Sequence, residues 1–309
     1  MAKDGLVSIG LCADTHYWPG GRDYITPDGT RQLQSSSEQL LTTLLDELEN
    51  ADLDLVIHLG DLTCGGGTYD MPVEAFLGTL STLHSAYHSL TTPVHLLPGN
   101  HDSTPGLGGW EGFHAILGGQ PGIGATVDTP DARLILLNTQ GHSRGQIETA
   151  DDRDPVYGWV SESELARVEA DLASAAGRPV MIFMHQLLQP WSNRAGWRDF
   201  YGIANALAVR NLLRRYQNAQ IVIQAHAHRL DVQTVLLDNH PRTFVVVPSL
   251  IEYPVAWVRL DITVHAVRLR LQPLPLPELR SASQSSGEGQ KWRAGREEWW
   301  DLTIPFKPI

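Results

Sequence analysis

The chain has 309 residues, of which 35 are acidic and 23 are basic, so its formal net charge is −12. A protein that grips the DNA or RNA backbone needs a basic face, and this balance disfavours a large nucleic-acid partner. A small anionic substrate stays compatible with the charge if local cations offset it. The length allows one large domain or two ordinary ones, and 42% apolar residues is ordinary for a globular protein.

The sequence also bears on the cellular compartment. No apolar run approaches the ~20 residues that a membrane-spanning helix needs. The N-terminal sequence MAKDGLVSIGLCAD has a short apolar stretch preceded by an acid, which is atypical of a secretory signal peptide. Cys12 and Cys64 are the only cysteines, too few for a disulfide framework, and both are interpreted as buried thiols. These features predict a cytoplasmic protein without a membrane span.

Short apolar segments alternate with amphipathic ones up to about residue 230. Strands are predicted at residues 6–11 and in DLDLVIHLGD, TPVHLLPGNHD, ARLILLNTQ, PVMIFMHQ and AQIVIQAHAH. Helical spacing is found in QLLTTLLDELEN, in residues 72–87, in SESELARVEADLASAAG and in IANALAVRNLLRRYQN. Strands and helices that alternate at this spacing predict βαβ units with largely parallel strands.

Two of the predicted helices begin with the spacing of a capping box. Ser35 precedes Glu38, and Ser161 precedes Glu164, by three residues each. In a capping box the serine hydroxyl and the glutamate side chain each satisfy a backbone N–H at the start of the helix. We therefore expect both pairs to cap their helices.

From residue 231 onward the pattern changes to short strands separated by turns. DVQTVLLD, TFVVVPSLIEY, AWVRLDIT and HAVRLRLQP predict antiparallel pairs, and hence a second sheet beside the first. Residues 281–290, SASQSSGEGQ, have the composition of a flexible linker. The tail that follows, KWRAGREEWWDLTIPF, is too aromatic to stay disordered, and we expect it to seal the sandwich rather than to act as a lid. The predicted division is a main domain at 1–280 and a linker with an aromatic tail at 281–309.

Polar side chains follow the predicted strands of the first part of the chain. They are Asp14, His16, Asp61, Asn100, His101, Asp102, His185, His226 and His228. In open α/β sheets, ligands bind at the carboxyl ends of the strands. If the strands are parallel, these side chains converge on one edge.

Carboxylates, imidazoles and one amide suit divalent metals such as Mn, Fe, Co, Ni or Zn. In DTH and HAH the two ligand-type side chains are two residues apart, so in extended backbone they point to the same side. Leaving out His101 and Asp102, seven candidate ligands remain, which is too many for one tetrahedral ion and suits two ions that share a carboxylate. Each motif alone also fits a turn or a hydrogen-bonded histidine, and it is the ordered set that indicates a metal site.

The order ADTHY, GDLT, GNHD, MHQ and AHAH resembles the calcineurin-like metallophosphoesterases, over residues 6–260. The resemblance implies an α/β fold in which a β-sandwich is flanked by α-helices, with a dimetal site at the carboxyl ends of the strands. It implies a first metal held by Asp14, His16, Asp61 and His228, and a second held by Asp61, Asn100, His185 and His226. It also implies that His101 lies beside the metals without binding them, and that Asp102 orients it as the partner in a carboxylate–histidine pair.

The chain departs from the family pattern at three places. Ala225 replaces the glycine that usually precedes the final HxH, and HQLLQP replaces a His-x-Pro motif. Cys64 stands where the cyclic-nucleotide phosphodiesterase branch often has an acid. The last difference weakens an assignment to that branch.

The resemblance implies hydrolysis of a phosphate ester with two divalent ions, Mn being favoured. On this resemblance, hydroxide held by the metals would attack phosphorus, and His101 would stabilise charge or protonate the leaving oxygen. For a small phosphate-ester or nucleotide substrate, diester hydrolysis ranks first. Nucleotide pyrophosphate cleavage, supported by a weaker similarity to manganese-dependent ADP-ribose/CDP-alcohol diphosphatases, ranks second, and monoester hydrolysis third. A metal-binding scaffold is the non-enzyme alternative, and a homo-oligomer is left open.

Arginines and tryptophans are frequent in the predicted loops near the site. They are Arg22, Arg144, Arg153, Arg194, Arg198, Arg229, Trp18, Trp110, Trp191 and Trp197. Cations in such loops can bind phosphate, and aromatics can stack on a nucleobase. For each tryptophan the favoured interpretation is structural, with the ring sealing its loop against the core.

Overall fold

The computed structural model of the protein describes residues 6–175 and 177–308. It has two six-stranded sheets that face each other, with helices on their outer faces, and so confirms the predicted fold class. The strands are β1 Val7–Cys12, β2 Leu55–His58, β3 Val94–Leu96, β4 Ala125–Asp128, β5 Arg133–Leu136, β6 Val180–Phe183, β7 Ala219–Gln224, β8 Asp231–Leu237, β9 His240–Val246, β10 Ala256–Ile262, β11 Ala266–Pro273 and β12 Asp301–Pro305.

The α-helices of the described chain are α1 Ser37–Asn50, α2 Val73–His88, α3 Glu111–Leu117, α4 Arg144–Thr149, α5 Glu162–Ser174, α6 Ala206–Arg215 and α7 Pro277–Gln284. None of them is long and apolar enough to cross a membrane. The short elements β4, α3 and α4 are absent from the sequence prediction. They are four to seven residues long, which is too short for a periodic apolar pattern to show.

Each sheet combines parallel and antiparallel strands. The first has the order β12-β11-β10-β1-β2-β3 and the second has the order β4-β5-β6-β7-β9-β8. β1, β2 and β3 are parallel, as are β5, β6, β7 and β9. The prediction that the later strands form a sheet of their own is wrong, because β10–β12 extend the first sheet beside β1 and β8–β9 extend the second beside β7.

The main core lies between the two sheets. Ile9 and Leu11 of β1 meet Met181 and Phe183 of β6 there, and all four side chains are buried. On the outer face of the first sheet, Leu44 and its neighbours on α1 pack over β1 and β2, while α5 and α6 cover the second sheet. Because strands are covered on both faces, they read as continuous apolar runs in the sequence.

The two predicted capping boxes differ from the structure. Ser161 does cap α5, since its Oγ accepts a hydrogen bond from the backbone N–H of Glu164 at 3.1 Å. The Glu164 carboxylate, however, accepts from the backbone N–H groups of Gly124 and Asn138 instead of closing the box. The helix α1 begins at Ser37 after a 3-10 turn and has no side-chain cap. The Glu164 side chain thus makes tertiary contacts in place of the local contact that the motif predicts.

The segment predicted as a flexible linker is partly helical. Residues 281–284 are the last turn of α7, and Ser283 is buried with its Oγ accepting from the backbone N–H of Tyr253 at 2.9 Å. Low apolar content does not distinguish a flexible linker from this helical turn, because small polar residues also pack closely against another backbone. The division at 280/281 stays a prediction.

The aromatic tail covers the edge of the first sheet. β12 pairs antiparallel with β11, and Ile304 is buried in the core between the sheets. Trp299, Trp300 and Phe306 pack against the same core. An edge of β11 that would otherwise be open is thus paired.

We expect Ile304→Ala to lower the free energy of unfolding by about 2 kcal/mol, because it removes buried methyl groups at the sheet edge. Thr303→Ala is the matched control, since this neighbouring side chain on β12 is exposed, and its effect should stay within about 0.5 kcal/mol. Urea unfolding measures both values. Equal effects of the two substitutions would mean that β12 does not contribute its apolar face to the core.

Candidate metal centre

The predicted ligands lie in turns that follow strands of both sheets. Asp14, His16, Asp61, His226 and His228 all have positive φ, with values of 51°, 43°, 54°, 63° and 49°. A left-handed conformation costs a residue other than glycine about 1–3 kcal/mol, and such residues cluster at functional sites. Strained backbone conformations are therefore found at the residues whose side chains form this cluster.

The first group of side chains is contributed by Asp14, His16, Asp61 and His228. One ligand atom from each lies within 4.8 Å of the others. The Nε2 atom of His228 is 3.4 Å from Asp14 Oδ1 and 3.3 Å from Nε2 of His16, which is in turn 3.8 Å from Asp61 Oδ2. Asp14 and Asp61 are buried, so their charges need a partner in the protein or a bound cation.

The second group shares Asp61 with the first. Asp61, His185 and His226 also have ligand atoms within 4.8 Å of one another. The Nε2 atom of His185 is 3.2 Å from Asp61 Oδ2 and 3.2 Å from the amide oxygen of Asn100. The structure thus brings together all seven side chains that the sequence singled out, with Asp61 between the two groups.

Several polar atoms of this cluster are buried without a hydrogen-bond partner within the described protein. They include Asp14 Oδ1, Asp61 Oδ2 and His226 Nε2. Buried polar atoms are paired in the great majority of cases, so three orphaned acceptors or donors in one place need an explanation. Carboxylate oxygens and imidazole nitrogens are ligands for divalent first-row metals, and the set fits such ions.

Two glycines permit the strand ends to approach each other. A Cβ on Gly60, which has φ of 103°, would lie 2.8 Å from Nδ1 of His185, and a Cβ on Gly99 would lie 2.2 Å from Asp61 Oδ1. The loop that begins at Gly99 is also held from outside, because Trp110 is buried and its Nε1 donates to the Gly99 carbonyl at 2.8 Å. Trp110 therefore has the structural role that the sequence favoured.

Ala225 is compatible with the final HxH motif. It is buried, it is not among the residues with positive φ, and its N–H donates to the His185 carbonyl at 2.9 Å. A methyl group is tolerated at an ordinary backbone conformation, so the departure from glycine leaves His226 and His228 in place.

His101 lies beside the cluster and is anchored by Asp61. Its backbone N–H donates to Asp61 Oδ1 at 2.7 Å, and its ring centroid is 5.2 Å from that of His16. Its side chain keeps 11% exposure, which leaves it accessible from the solvent side. His101 therefore lies next to the Asp61 carboxylate, which both groups share.

The orienting role predicted for Asp102 is wrong. Its carboxylate accepts hydrogen bonds from the backbone N–H groups of Gly99 and Thr63, at 2.8 and 2.9 Å, and so it holds the loop. Residues 100–102 form a 3-10 turn, and the described contacts of Asp102 are with these backbone groups of the turn and of Thr63. The carboxylate beside Nδ1 of His101 is that of Asp154, at 3.3 Å, and the Gly65 carbonyl is 3.2 Å from the same nitrogen.

Two of the clustered imidazoles are oriented by acceptors outside the cluster. Nδ1 of His185 is 2.8 Å from the carbonyl of Leu59, and Nδ1 of His228 contacts the carboxylate of Glu252. An acceptor at Nδ1 keeps a proton there, so Nε2 is the nitrogen of each ring that can give up its proton to bind a cation within the cluster. Glu252 is buried and is itself bound by Arg293, whose Nε is 3.2 Å from Oε2.

The electrostatics of the cluster favour positive charge at its centre. Burial lowers the pKa of every imidazole here, but Asp61 outweighs it for His185 and raises that pKa to about 9. Asp14 and Glu252 likewise raise the pKa of His228 to about 10, against the effect of burial. For His16 and His226, burial prevails and the pKa lies well below its usual value. Bound cations would replace the protons on His185 and His228.

A model of the calcineurin-like phosphoesterase family matches residues 7–230, which is more than half of the chain. The chain belongs to the calcineurin-like phosphoesterase family. This confirms the resemblance drawn from the five motifs, and the phosphoesterase class of enzyme with it. The match ends just after the last histidine of the cluster, so the residues from 231 onward lie outside the matched segment.

Curated relatives of this calcineurin-like phosphoesterase are distant. A 3',5'-cyclic-nucleotide phosphodiesterase of Nostoc is 25% identical over 198 residues, covering 63% of this chain and 64% of its own. The 3',5'-cyclic adenosine monophosphate phosphodiesterase of Pseudomonas aeruginosa is 22% identical over 230 residues, covering 74% of this chain and 72% of its own. The chain spans about two thirds of the length of these relatives.

A solved structure described as a dimetal phosphatase from Danio rerio has a TM-score of 0.71 and 18% identity. It covers 98% of this chain and 100% of its own. A purple acid phosphatase from yellow lupin has a TM-score of 0.55 and 14% identity, covering 88% of this chain and 52% of its own. These likenesses show that the fold, including the strands after residue 230, is shared with known phosphatases.

Sequence reasoning missed Glu252 and Asp154 as neighbours of the site. Glu252 lies in SLIEYP, where a single acid among apolar residues was a signal that it is buried and paired. Asp154 lies in DDRDP, a stretch of exposed type that carries no such signal.

We expect Glu252→Gln to weaken metal binding by on the order of 10-fold to 100-fold, because a neutral amide no longer fixes and polarises the His228 ring. The exposed Glu278 on α7 offers the control Glu278→Gln, which should not change affinity. Competition with a metal-sensitive dye measures both, and the melting temperature reports on the fold. Unchanged affinity in a folded Glu252→Gln protein would show that this contact does not support metal binding.

Proposed function

We propose that the protein hydrolyses phosphodiesters with two divalent metal ions, and that its seven clustered side chains are the ligands. The observation that carries the proposal is the buried carboxylate of Asp61, which belongs to both groups of ligand atoms. One group would be Asp14, His16, Asp61 and His228. The other would be Asp61, His185 and His226 with the amide oxygen of Asn100.

The bound ions would neutralise charge on the phosphoryl oxygens and lower the pKa of coordinated water. The protein fixes the positions of the ligand atoms. Leu59 and Glu252 orient His185 and His228, so that the donor atoms are held before any substrate arrives. Asp61 joins the two sites and at the same time anchors His101 through the backbone.

His101 is the candidate general acid. Its Nδ1 faces Gly65 and Asp154, which leaves Nε2 as the ring nitrogen that can donate to a phosphoryl or leaving-group oxygen. Asp154 is a positioning residue in this scheme, since its Oδ2 lies 3.3 Å from Nδ1 of His101 and it acts through that ring. It takes the orienting role that the sequence assigned to Asp102.

The diester is favoured over other substrates because the relatives of Nostoc and Pseudomonas aeruginosa are cyclic-nucleotide phosphodiesterases. Nucleotide pyrophosphate cleavage ranks second. The preference for Mn, a cytoplasmic location and a homo-oligomer stay predictions. In support of a reducing compartment, Cys12 and Cys64 are both free and buried.

The test is a parallel assay of metal-saturated protein on four substrates. They are bis(p-nitrophenyl) phosphate, p-nitrophenyl phosphate, 3',5'-cyclic AMP and ADP-ribose, each with Mn, Fe, Co, Ni and Zn. We expect about two ions per chain by elemental analysis and the highest kcat/KM on a diester. A higher value on the monoester would overturn the diester assignment, and no hydrolysis of any substrate would favour the metal-binding scaffold.

We expect His101→Ala to keep both metals and to lose on the order of 10²-fold to 10⁴-fold in rate on an ester with an alkyl leaving group. On bis(p-nitrophenyl) phosphate, whose leaving group needs no proton, the loss should be smaller. Asp154→Asn should show the same dependence at lower amplitude, because it perturbs His101 without removing it. His88→Ala, an exposed histidine on α2, is the control. Losses that do not depend on the leaving group would rule out proton donation by His101.

A further inference from the structure

A turn near the end of the described chain contacts the end of the AHAH motif. This C-terminal turn is the 3-10 helix at Lys291–Ala294, and it lies outside the segment that the family model matches. Nη1 of Arg293 donates to the carbonyl of His228 at 3.0 Å, and the carbonyl of Arg293 accepts the backbone N–H of Leu230 at 2.8 Å. The side chain and the backbone of one arginine thus hold both ends of residues 228–230.

The Arg293 side chain is buried, and its donors are directed at several separate parts of the chain. Nε donates to the amide oxygen of Gln290 at 2.9 Å and lies 3.2 Å from Oε2 of Glu252. Nη2 donates to the hydroxyl of Thr30 at 3.3 Å. Because a buried arginine needs partners for its charge and its N–H groups, these contacts together fix the guanidinium group in one place.

His228 is held by this guanidinium group in two ways. Nδ1 of His228 contacts the carboxylate of Glu252, which in turn faces Arg293, and the carbonyl of His228 accepts from Arg293 directly. The backbone of His228 is left-handed, with φ of 49°. A residue other than glycine keeps this unfavourable conformation only where neighbouring contacts hold it. Arg293 therefore acts on both the ring orientation and the backbone conformation of this predicted ligand.

The second group of ligand atoms is supported from elsewhere. Nδ1 of His185 faces the carbonyl of Leu59, and Nε2 of His185 is 3.2 Å from the amide oxygen of Asn100. The backbone N–H of His226 donates to Asp14, and its ring packs against His185 and Tyr201. None of these described contacts involves the C-terminal turn. The loss of Arg293 is therefore expected to disturb the first group, to which His228 belongs, and to spare the second.

We propose that Arg293 is a positioning residue of the metal centre, which holds His228 in place as a ligand of the first group. The inference rests on the two-ion site of the proposed function, and it does not depend on which ester is hydrolysed. It gives the segment beyond the family match a role in metal binding, in addition to the pairing of β12 at the sheet edge.

A positioning role and a purely structural role predict different results when Arg293 is replaced. Loss of the fold reduces the fraction of protein that binds either ion, so both sites are affected equally. Loss of positioning weakens one site in protein that stays folded. The affinities of the two sites, measured separately, therefore distinguish the two roles.

Isothermal titration calorimetry tests the proposal by adding Mn²⁺ to protein from which metal has been removed by chelation, with circular dichroism as the measure of folding. We expect wild type to bind two ions. In Arg293→Met, which removes the charge and the guanidinium donors, one site should weaken by about 10-fold to 100-fold, the range for loss of a group that orients a ligating histidine. The other site should keep its wild-type affinity.

His228→Ala identifies the site that is affected. This variant lacks the ligand that Arg293 holds, so Arg293→Met should cause no further loss when it is added to His228→Ala. A further loss of similar size in the double variant would show that Arg293 acts on another part of the centre, and would overturn the proposal.

Arg296→Met is the matched control, because Arg296 lies in the same segment but is exposed and 3.6 Å from the exposed Glu298. It should leave both affinities unchanged. If Arg293→Met does not fold, Arg293→Lys keeps the charge but loses the planar fork, and one site should weaken by a smaller factor. Equal weakening of both sites, or unchanged affinities in folded Arg293 variants, would leave Arg293 with a structural role only.

The metal titration is separate from the assay of hydrolysis. If wild type binds two ions and Arg293→Met weakens one site, but no ester is hydrolysed, the positioning role stands and the proposed activity fails. If a diester is hydrolysed and folded Arg293 variants bind both ions as wild type does, the activity stands and the positioning role fails.

Discussion

The organisation of the site depends on one buried carboxylate. Asp61 lies in the left-handed turn that follows β2. Its Oδ2 is 3.2 Å from Nε2 of His185, which follows β6 of the opposite sheet, and its Oδ1 accepts the backbone N–H of His101. Burial opposes its charge, yet His185 and His101 hold its pKa well below the usual value. A charge of this kind is stable only if positive partners surround it, so the strands of both sheets must bring histidines to the same point. The geometry of the site therefore depends on how the two sheets pack.

The parts of the molecule that follow local rules could be predicted from the sequence. Ligand-type residues directly after apolar runs indicated the strand ends, and the seven side chains do meet there. The parts that depend on long-range pairing could not. The sequence of β10 does not reveal its neighbour in the sheet. The same alternate side chains would be buried whether β10 paired with β1, as it does, or lay in a separate sheet.

The same distinction explains the error at Asp102. His101 and Asp102 are adjacent in one motif, but the Asp102 carboxylate accepts the Gly99 and Thr63 N–H groups. The carboxylate that reaches His101 is 53 residues away in the chain, from Asp154. The spacing of residues within a motif identifies the side chains that follow one strand. It does not identify side chains that reach the site from a separate loop.

Residues that support the site come increasingly from outside the motifs as one moves away from Asp61. Glu252 orients His228, Arg293 holds Glu252, and Trp292 stacks on Arg229, so each step leads further into the segment after residue 230. Substitutions in that segment can change the surroundings of the clustered side chains without replacing any of them. The motifs therefore define the cluster, while the contacts that hold it in place come from residues that no motif marks.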